Sequence, residues 1–202
     1  MVDKQGEIVD GDHLLYIIAM DRKAAGRLRG GVAGTLMSNL GLEQACAAHG
    51  IPFARAAVGD RYVLAKLVEQ GWDLGGETSG HIICLDRCTT GDGIIAALQV
   101  LAAIRGTGKT LAQLRSGLEI YPQTMINVSI SRRFDVKESH PVQQALKEIE
   151  NELAGKGRVV LRASGTEPVV RVMIEGRDAT QVERLSQQLA DVVKLAAEEA
   201  AA

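Results

Sequence analysis

The sequence predicts an α/β fold in two parts: a mixed-sheet α/β domain, followed by a small α+β domain of β-α-β-β-α order. Two observations carry this. Over the first 120 residues the apolar periodicity switches repeatedly between 3.6 and 2, so helices separate strands and at least part of the sheet is parallel. From about residue 121 the order becomes a long strand, a helix, two strands around a polar corner, and an amphipathic helix. A chain of 202 residues with 46% hydrophobic and 24% charged residues is globular and long enough for one large domain or two ordinary ones. Aromatic residues make up only 3%, so the core must be built from Val, Ile, Leu and Ala.

Taken in order, residues 10–28 read as a helix opened by Asp10 or Asp12. "GVAGTLM" (31–37) reads as a strand, and "SNLGLEQACAAHG" (38–50) as a helix with Ser38 near its start and Gly50 just past its end. "IPFARAAV" (51–58) is a second strand, and Asp60 caps a helix through Gln70 that Gly71 closes. "WDLGGETSGHIICL" (72–85) reads as strand, loop, strand, with helices at 91–105 and near 110–118. In the second part, 119–131 is a strand and 131–141 a turn-rich connection. The helix at 141–154 carries Pro141 in its first turn, where the missing N–H costs nothing. Strands at 157–163 and 168–175 flank a polar corner. The last helix begins after Asp178, with residues 196–202 expected to fray.

Several functions are excluded early. A net charge of −2 without a basic run provides no electrostatic footprint for nucleic acid. The apolar stretches are strand-length or broken by charge, which excludes a membrane-spanning helix, and no secretory signal is visible at the N-terminus. Three cysteines, an odd number, argue against a disulfide framework and for a reducing compartment, so the expected location is cytoplasmic.

Two clusters carry chemistry. In "LRASGTEPVVRVMIEG" (161–176), Arg162 ends one strand, Arg171 lies in the next, and Ser164, Gly165 and Thr166 stand between them. Gly165 can adopt positive φ, letting successive N–H groups converge, and two hydroxyls and two forked guanidiniums add donors suited to a phosphate. A tight polar turn with solvated arginines is the plainer alternative, and local chemistry leaves both open. In "GGETSGHII" (75–83), Glu77 can accept from neighbouring sugar hydroxyls while Ser79 bridges another, and His81 can carry a proton at neutral pH. A polar turn with a satisfied histidine accounts for this stretch equally well.

Other motifs fail on inspection. "GTGKT" (106–110) echoes a nucleotide phosphate loop, but Ala103 stands where its first glycine belongs, and the segment follows a helix rather than a strand. "VDGDH" (9–13) resembles a carboxylate metal loop, yet Asp10 and Asp12 are better read as helix-capping acids. Cys46 with His49, and His81 with Cys84 and Cys88, lack a zinc-knuckle spacing and read as buried thiols.

Order and separation of the two clusters, with "GTLMSNLGLE" (34–43), "VGDRYV" (58–63) and "VRVMIEG" (170–176), resemble the α-phosphohexomutase superfamily, and within it the phosphoglucosamine mutase branch. The resemblance implies a short tail of the family's second domain at 1–10, its third domain with the sugar-binding loop at 11–120, and its fourth with the phosphate-binding loop at 121–202. It covers only the C-terminal half of a four-domain architecture. The family's phosphoserine loop and its Asp-Gly-Asp-Gly-Asp-Arg magnesium loop do not occur in the sequence. Mg2+ is therefore implied for the full-length family and not for residues of this chain. The implied reaction interconverts glucosamine 6-phosphate and glucosamine 1-phosphate through a 1,6-bisphosphate, toward UDP-N-acetylglucosamine. By position, Arg162, Ser164, Gly165, Thr166 and Arg171 would bind the distal phosphate, Glu77 and Ser79 the sugar hydroxyls, and His81 would assist proton transfer. The implied partners are a phosphosugar substrate and, for a split enzyme, the missing N-terminal half. Two alternatives remain: a stand-alone phosphosugar-binding module, and a fragment of a phosphomannomutase or phosphoglucomutase.

Overall fold

The computed structural model describes residues 1–132, 134–164 and 167–200, and the chain divides into two compact units, Met1–Ile120 and Tyr121–Ala202. Gly165 and Thr166 of the polar corner lie outside the described residues.

The first unit runs α1 (Gly11–Ala24), β1 (Val32–Thr35), α2 (Leu40–Ala48), β2 (Phe53–Ala56), α3 (Asp60–Gln70), β3 (Leu74–Gly76), β4 (Ile82–Cys84), α4 (Gly93–Thr107) and α5 (Leu111–Arg115). Its four-stranded sheet has the order β2-β1-β3-β4. β1 pairs in parallel with β2 and β3, while β3 and β4 form an antiparallel hairpin, so the sheet is mixed. Alternation sorts the side chains between two cores. Val32, Leu74, Ile82 and Cys84 pack with α1, α2, α4 and α5, and Ala33 and Ile83 pack with Val63 and Leu67 of α3. α1 lies deep in this arrangement, with Leu14 through Ala19 all buried, which suits a helix whose middle turns are apolar on every side. Its Arg22 is only 2% exposed. It is neutralised by Asp86 at 2.9 Å and Asp73 at 3.5 Å, a long-range pairing with no signature in the sequence.

The second unit runs β5 (Gln123–Ser129), α6 (His140–Leu153), β6 (Gly157–Ala163), β7 (Val169–Gly176) and α7 (Ala179–Glu199). The three-stranded sheet is antiparallel with β7 in the centre. Val170, Val172 and Ile174 meet Val142, Ile149 and Leu153 of α6 and Val182, Leu185, Leu189 and Val193 of α7 in a separate core. Among the described residues no helix is long and apolar enough to cross a membrane.

Helix ends follow the capping residues closely, with three corrections. Asp10 caps α1 by accepting from the His13 N–H at 3.0 Å, but the helix ends at Ala24 rather than 28, because Gly26 takes φ +64° and turns the chain away. Ser38 lies near the start of α2 as expected, and the neighbouring Asn39 caps it. Gly59 occupies the cap position of α3, leaving Asp60 as its first residue. The last helix does not fray at 196: it continues to Glu199, and Ala196 and Ala197 are buried against the core.

Candidate functional site

In the first unit the stretch Glu77–His81 closes the β3–β4 hairpin. The Glu77 N–H donates to the His81 carbonyl at 3.1 Å and the Gly80 N–H to the Glu77 carbonyl at 2.9 Å, with Gly80 at φ +97°. Glu77 does not hang free in solvent: its side chain is 13% exposed. Its Oε1 accepts the N–H of Gly59 at 2.9 Å, at the start of α3. A carboxylate there meets the positive end of the helix dipole. Oε2 faces His81 Nδ1 at 3.7 Å, and Ser79 Oγ lies 3.3 Å from the same nitrogen. Glu77, Ser79 and His81 thus form one polar cluster, with His81 the most open at 66% exposure.

The first turn of α1 packs beneath this loop. The Gly11 N–H donates to the Thr78 carbonyl at 2.9 Å, and a Cβ on Gly11 would stand 2.0 Å from the Glu77 carbonyl oxygen, so only glycine fits. Asp12 is the main departure from the sequence-based expectation. It does not cap α1. Its Oδ2 accepts from the Asn39 N–H at 2.8 Å and from Thr78 Oγ1 at 3.0 Å, and the residue is 1% exposed. Burial pushes its carboxyl up to about 6, with the nearby Asp10 charge adding to the rise against the bonds from Asn39 and Thr78.

In the second unit, antiparallel register sets Arg162 of β6 directly opposite Arg171 of β7, and Arg171 opposite Asn127 of β5. The three side chains form one row across the sheet, on the face opposite the helix-packed Val170 and Val172. Arg171 Nη2 donates to Glu167 Oε2 at 2.8 Å, while its Nε is buried without a partner among the described residues. Ser164 closes the corner: its N–H donates to the Val169 carbonyl at 2.8 Å, and its Oγ accepts from the Glu167 N–H at 3.2 Å. Two like charges directly opposite on a sheet destabilise it, and an anion laid across them reverses the sign. Among the described residues no carboxylate pairs with Arg162, and no group of three or more His, Cys, Asp or Glu is placed to hold a metal ion.

Sequence reading missed Asp12, Gly11, Gly59 and Asn127 as contributors. "VGDRYV" was the available pointer to Gly59; Asp12 and Asn127 join the clusters only through tertiary contacts and strand register.

Residues 10–121 match the alpha/beta/alpha domain III of phosphoglucomutase/phosphomannomutase, and residues 125–192 match its C-terminal domain. The chain belongs to this phosphohexomutase family. Among curated relatives, the phosphoglucosamine mutase of Nitrosococcus oceani is 58% identical over 193 residues, covering 96% of this chain and 43% of the relative. That of Aeromonas hydrophila is 57% identical, covering 97% of this chain and 44% of the relative. The chain thus spans less than half the length of the curated relatives it matches, and corresponds to their C-terminal half. Among solved structures, Aspergillus fumigatus N-acetylphosphoglucosamine mutase in complex with GlcNAc-6P and magnesium has a TM-score of 0.79 at 21% identity, covering 98% of this chain and 46% of that one. An N-acetylglucosamine-phosphate mutase in its substrate complex has a TM-score of 0.78 at 22% identity, covering 96% of this chain and 46% of that one. Both show the shared fold.

Proposed function

We propose that this chain is the sugar- and phosphate-recognising half of a phosphoglucosamine mutase acting on glucosamine 6-phosphate and glucosamine 1-phosphate in the cytoplasm. Residues 1–10 are the tail of the second domain of that architecture, 11–120 its third and 121–202 its fourth. The observation that carries the reading is the row Asn127–Arg171–Arg162, in which strand register brings two guanidiniums together on the open face beside a Ser-Gly-Thr corner. Arg162, Arg171 and Ser164, with Gly165 and Thr166, hold the phosphate that is not reacting. Forked guanidinium donors suit such a dianion better than point charges do. Glu77, held by Gly59, and Ser79 read hydroxyls that the sugar presents in either orientation. His81, open to solvent beside both, serves as the proton carrier.

Phosphoryl transfer relies on positioning and on stabilising charge. The recognition half supplies positioning. A donor serine loop and an acidic metal loop do not occur in the 202 residues, so the chain by itself turns over no substrate. The test is complementation: this chain mixed with a separately produced N-terminal half of a phosphoglucosamine mutase gains mutase turnover with glucosamine 6-phosphate and a 1,6-bisphosphate activator, while neither half alone does. Turnover by the isolated chain would overturn the reading. So would equal binding of all three of glucosamine, mannose and glucose 6-phosphates with no shift at residues 162–171.

A further inference from the structure

We propose that Asp12 is a positioning residue for the Glu77–Gly80 loop, tying the loop through Thr78 to the start of α2 and so fixing where Glu77 stands. The inference rests on the sugar-binding reading of that loop. Asp12 Oδ2 takes two donors at once, the Asn39 N–H at 2.8 Å and the Thr78 hydroxyl at 3.0 Å, joining α1, α2 and the loop at one atom. The preceding residue grips the same target, because the Gly11 N–H holds the Thr78 carbonyl at 2.9 Å. Both polar ends of Thr78 are therefore bound by the first turn of α1. Its side chain serves the loop from beneath, while its neighbours Glu77 and Ser79 present their oxygens beside His81.

The cost of this arrangement indicates that it does more than fill space. Asp12 Oδ1 is buried without a partner among the described residues, an expensive state for a carboxylate oxygen. A neutral acceptor would make bonds to the same two donors without burying a charge; the charge strengthens both. Asp10 on the same helix faces Asp12 with like charge, and Arg55 from β2 faces it with opposite charge. Glu77 is directed instead to the Gly59 N–H. Burial dominates and pushes the Asp12 carboxyl up to about 6, so the anchor weakens on protonation within a pH range where the fold can be studied.

The test uses the 202-residue chain and backbone amide NMR. Without ligand, the Asn39 and Thr78 amides are expected to move together, with one midpoint near pH 6, and to lose that transition in Asp12→Asn. Thr78→Val, at a half-buried position, keeps the β-branched shape and removes the hydroxyl. It is expected to shift the Glu77 and Ser79 amides and to raise the Kd for glucosamine 6-phosphate about three- to tenfold, the worth of one hydrogen bond. Thr78→Ser, which keeps the hydroxyl, restores both. Asn39 and Thr78 amides that titrate independently of Asp12, or a Thr78→Val chain that binds within twofold of the parent, overturn the role. The titration needs no sugar. An unaltered chain that titrates as expected but fails to bind glucosamine 6-phosphate overturns the sugar-binding reading instead.

Discussion

Arg162 and Arg171 stand directly opposite one another on β6 and β7. Facing side chains on an antiparallel pair have Cβ atoms about 5 Å apart, close enough for two guanidiniums to repel when nothing lies between them. Replacing Arg162 with glutamine is therefore expected to leave the ligand-free melting temperature unchanged or slightly higher. Phosphosugar binding should weaken by roughly 1.5–3 kcal/mol, as for loss of a charged hydrogen bond. Thermal unfolding with and without glucosamine 6-phosphate reads both quantities together; a destabilised ligand-free variant with intact binding would make the pair structural.

Glu77→Gln keeps an acceptor for the Gly59 N–H but loses the charge. Urea unfolding should place the variant within about 1 kcal/mol of the parent, since one neutral hydrogen bond replaces a charged one. Calorimetric titration should show sugar phosphate affinity falling by about 1–2 kcal/mol for the same reason. An unchanged affinity would remove Glu77 from the sugar site.

Gly11→Ala drives a methyl group to within 2.0 Å of the Glu77 carbonyl oxygen and 2.7 Å of the Gly80 nitrogen. Backbone cannot swing aside as a side chain does, so a loss of about 1–3 kcal/mol or more is expected in a denaturant titration, with amide shifts concentrated at 77–80. Gly26, whose added Cβ would meet nothing within 4 Å but whose φ is +64°, offers the control: Gly26→Ala strains only its own backbone.

Asp12 runs against the usual acid-denaturation trend. Burial pushes its folded-state carboxyl up to about 6, above the ordinary aspartate value of 3.8, so between those values the folded chain holds more of this proton than the unfolded one. Its contribution to stability thus decreases as pH rises, by at most roughly 1.4 kcal/mol per pH unit. Asp12→Asn should remove that slope between about pH 4 and 6. Carboxylates held low, such as Asp10 beside His13, slope the other way and cancel when parent and variant are compared. Identical stability–pH profiles for the two would refute the assignment.

Thiol reactivity separates the three cysteines. Burial pushes Cys46 up to about 12 and raises Cys84, and both lie inside the first unit's core, whereas Cys88 is half-buried. A thiol-reactive dye at neutral pH should label Cys88 in the folded chain and reach the other two only on unfolding. Prompt labelling of Cys46 would mean that the α2 face opens under native conditions.

Local chemistry makes much of the architecture legible in the sequence. Asp178 caps α7, Pro141 sits in the first turn of α6, and Gly71 closes α3 in the left-handed region, each where the side chain or its absence dictates. Glu77, Ser79 and His81 were legible because they adjoin in sequence, and their proximity in space follows from a short hairpin. Asp12 was not. An acid in the first turn of a helix has a sufficient local explanation, and nothing nearby in the sequence reveals that Asn39 and Thr78 converge on it from 27 and 66 residues away. The final alanine-rich turn differs for a related reason: composition predicts fraying, but Ala196 and Ala197 of α7 pack into the second unit's core.

The first unit has its own apolar clusters among the described residues, and so does the second. The Ile120–Tyr121 junction is a seam at which a gene can be cut, recombined or duplicated while each product keeps an intact interior. On the proposed reading, drift in the part assigned to sugar hydroxyls and drift in the part assigned to phosphate can then proceed at different tempos.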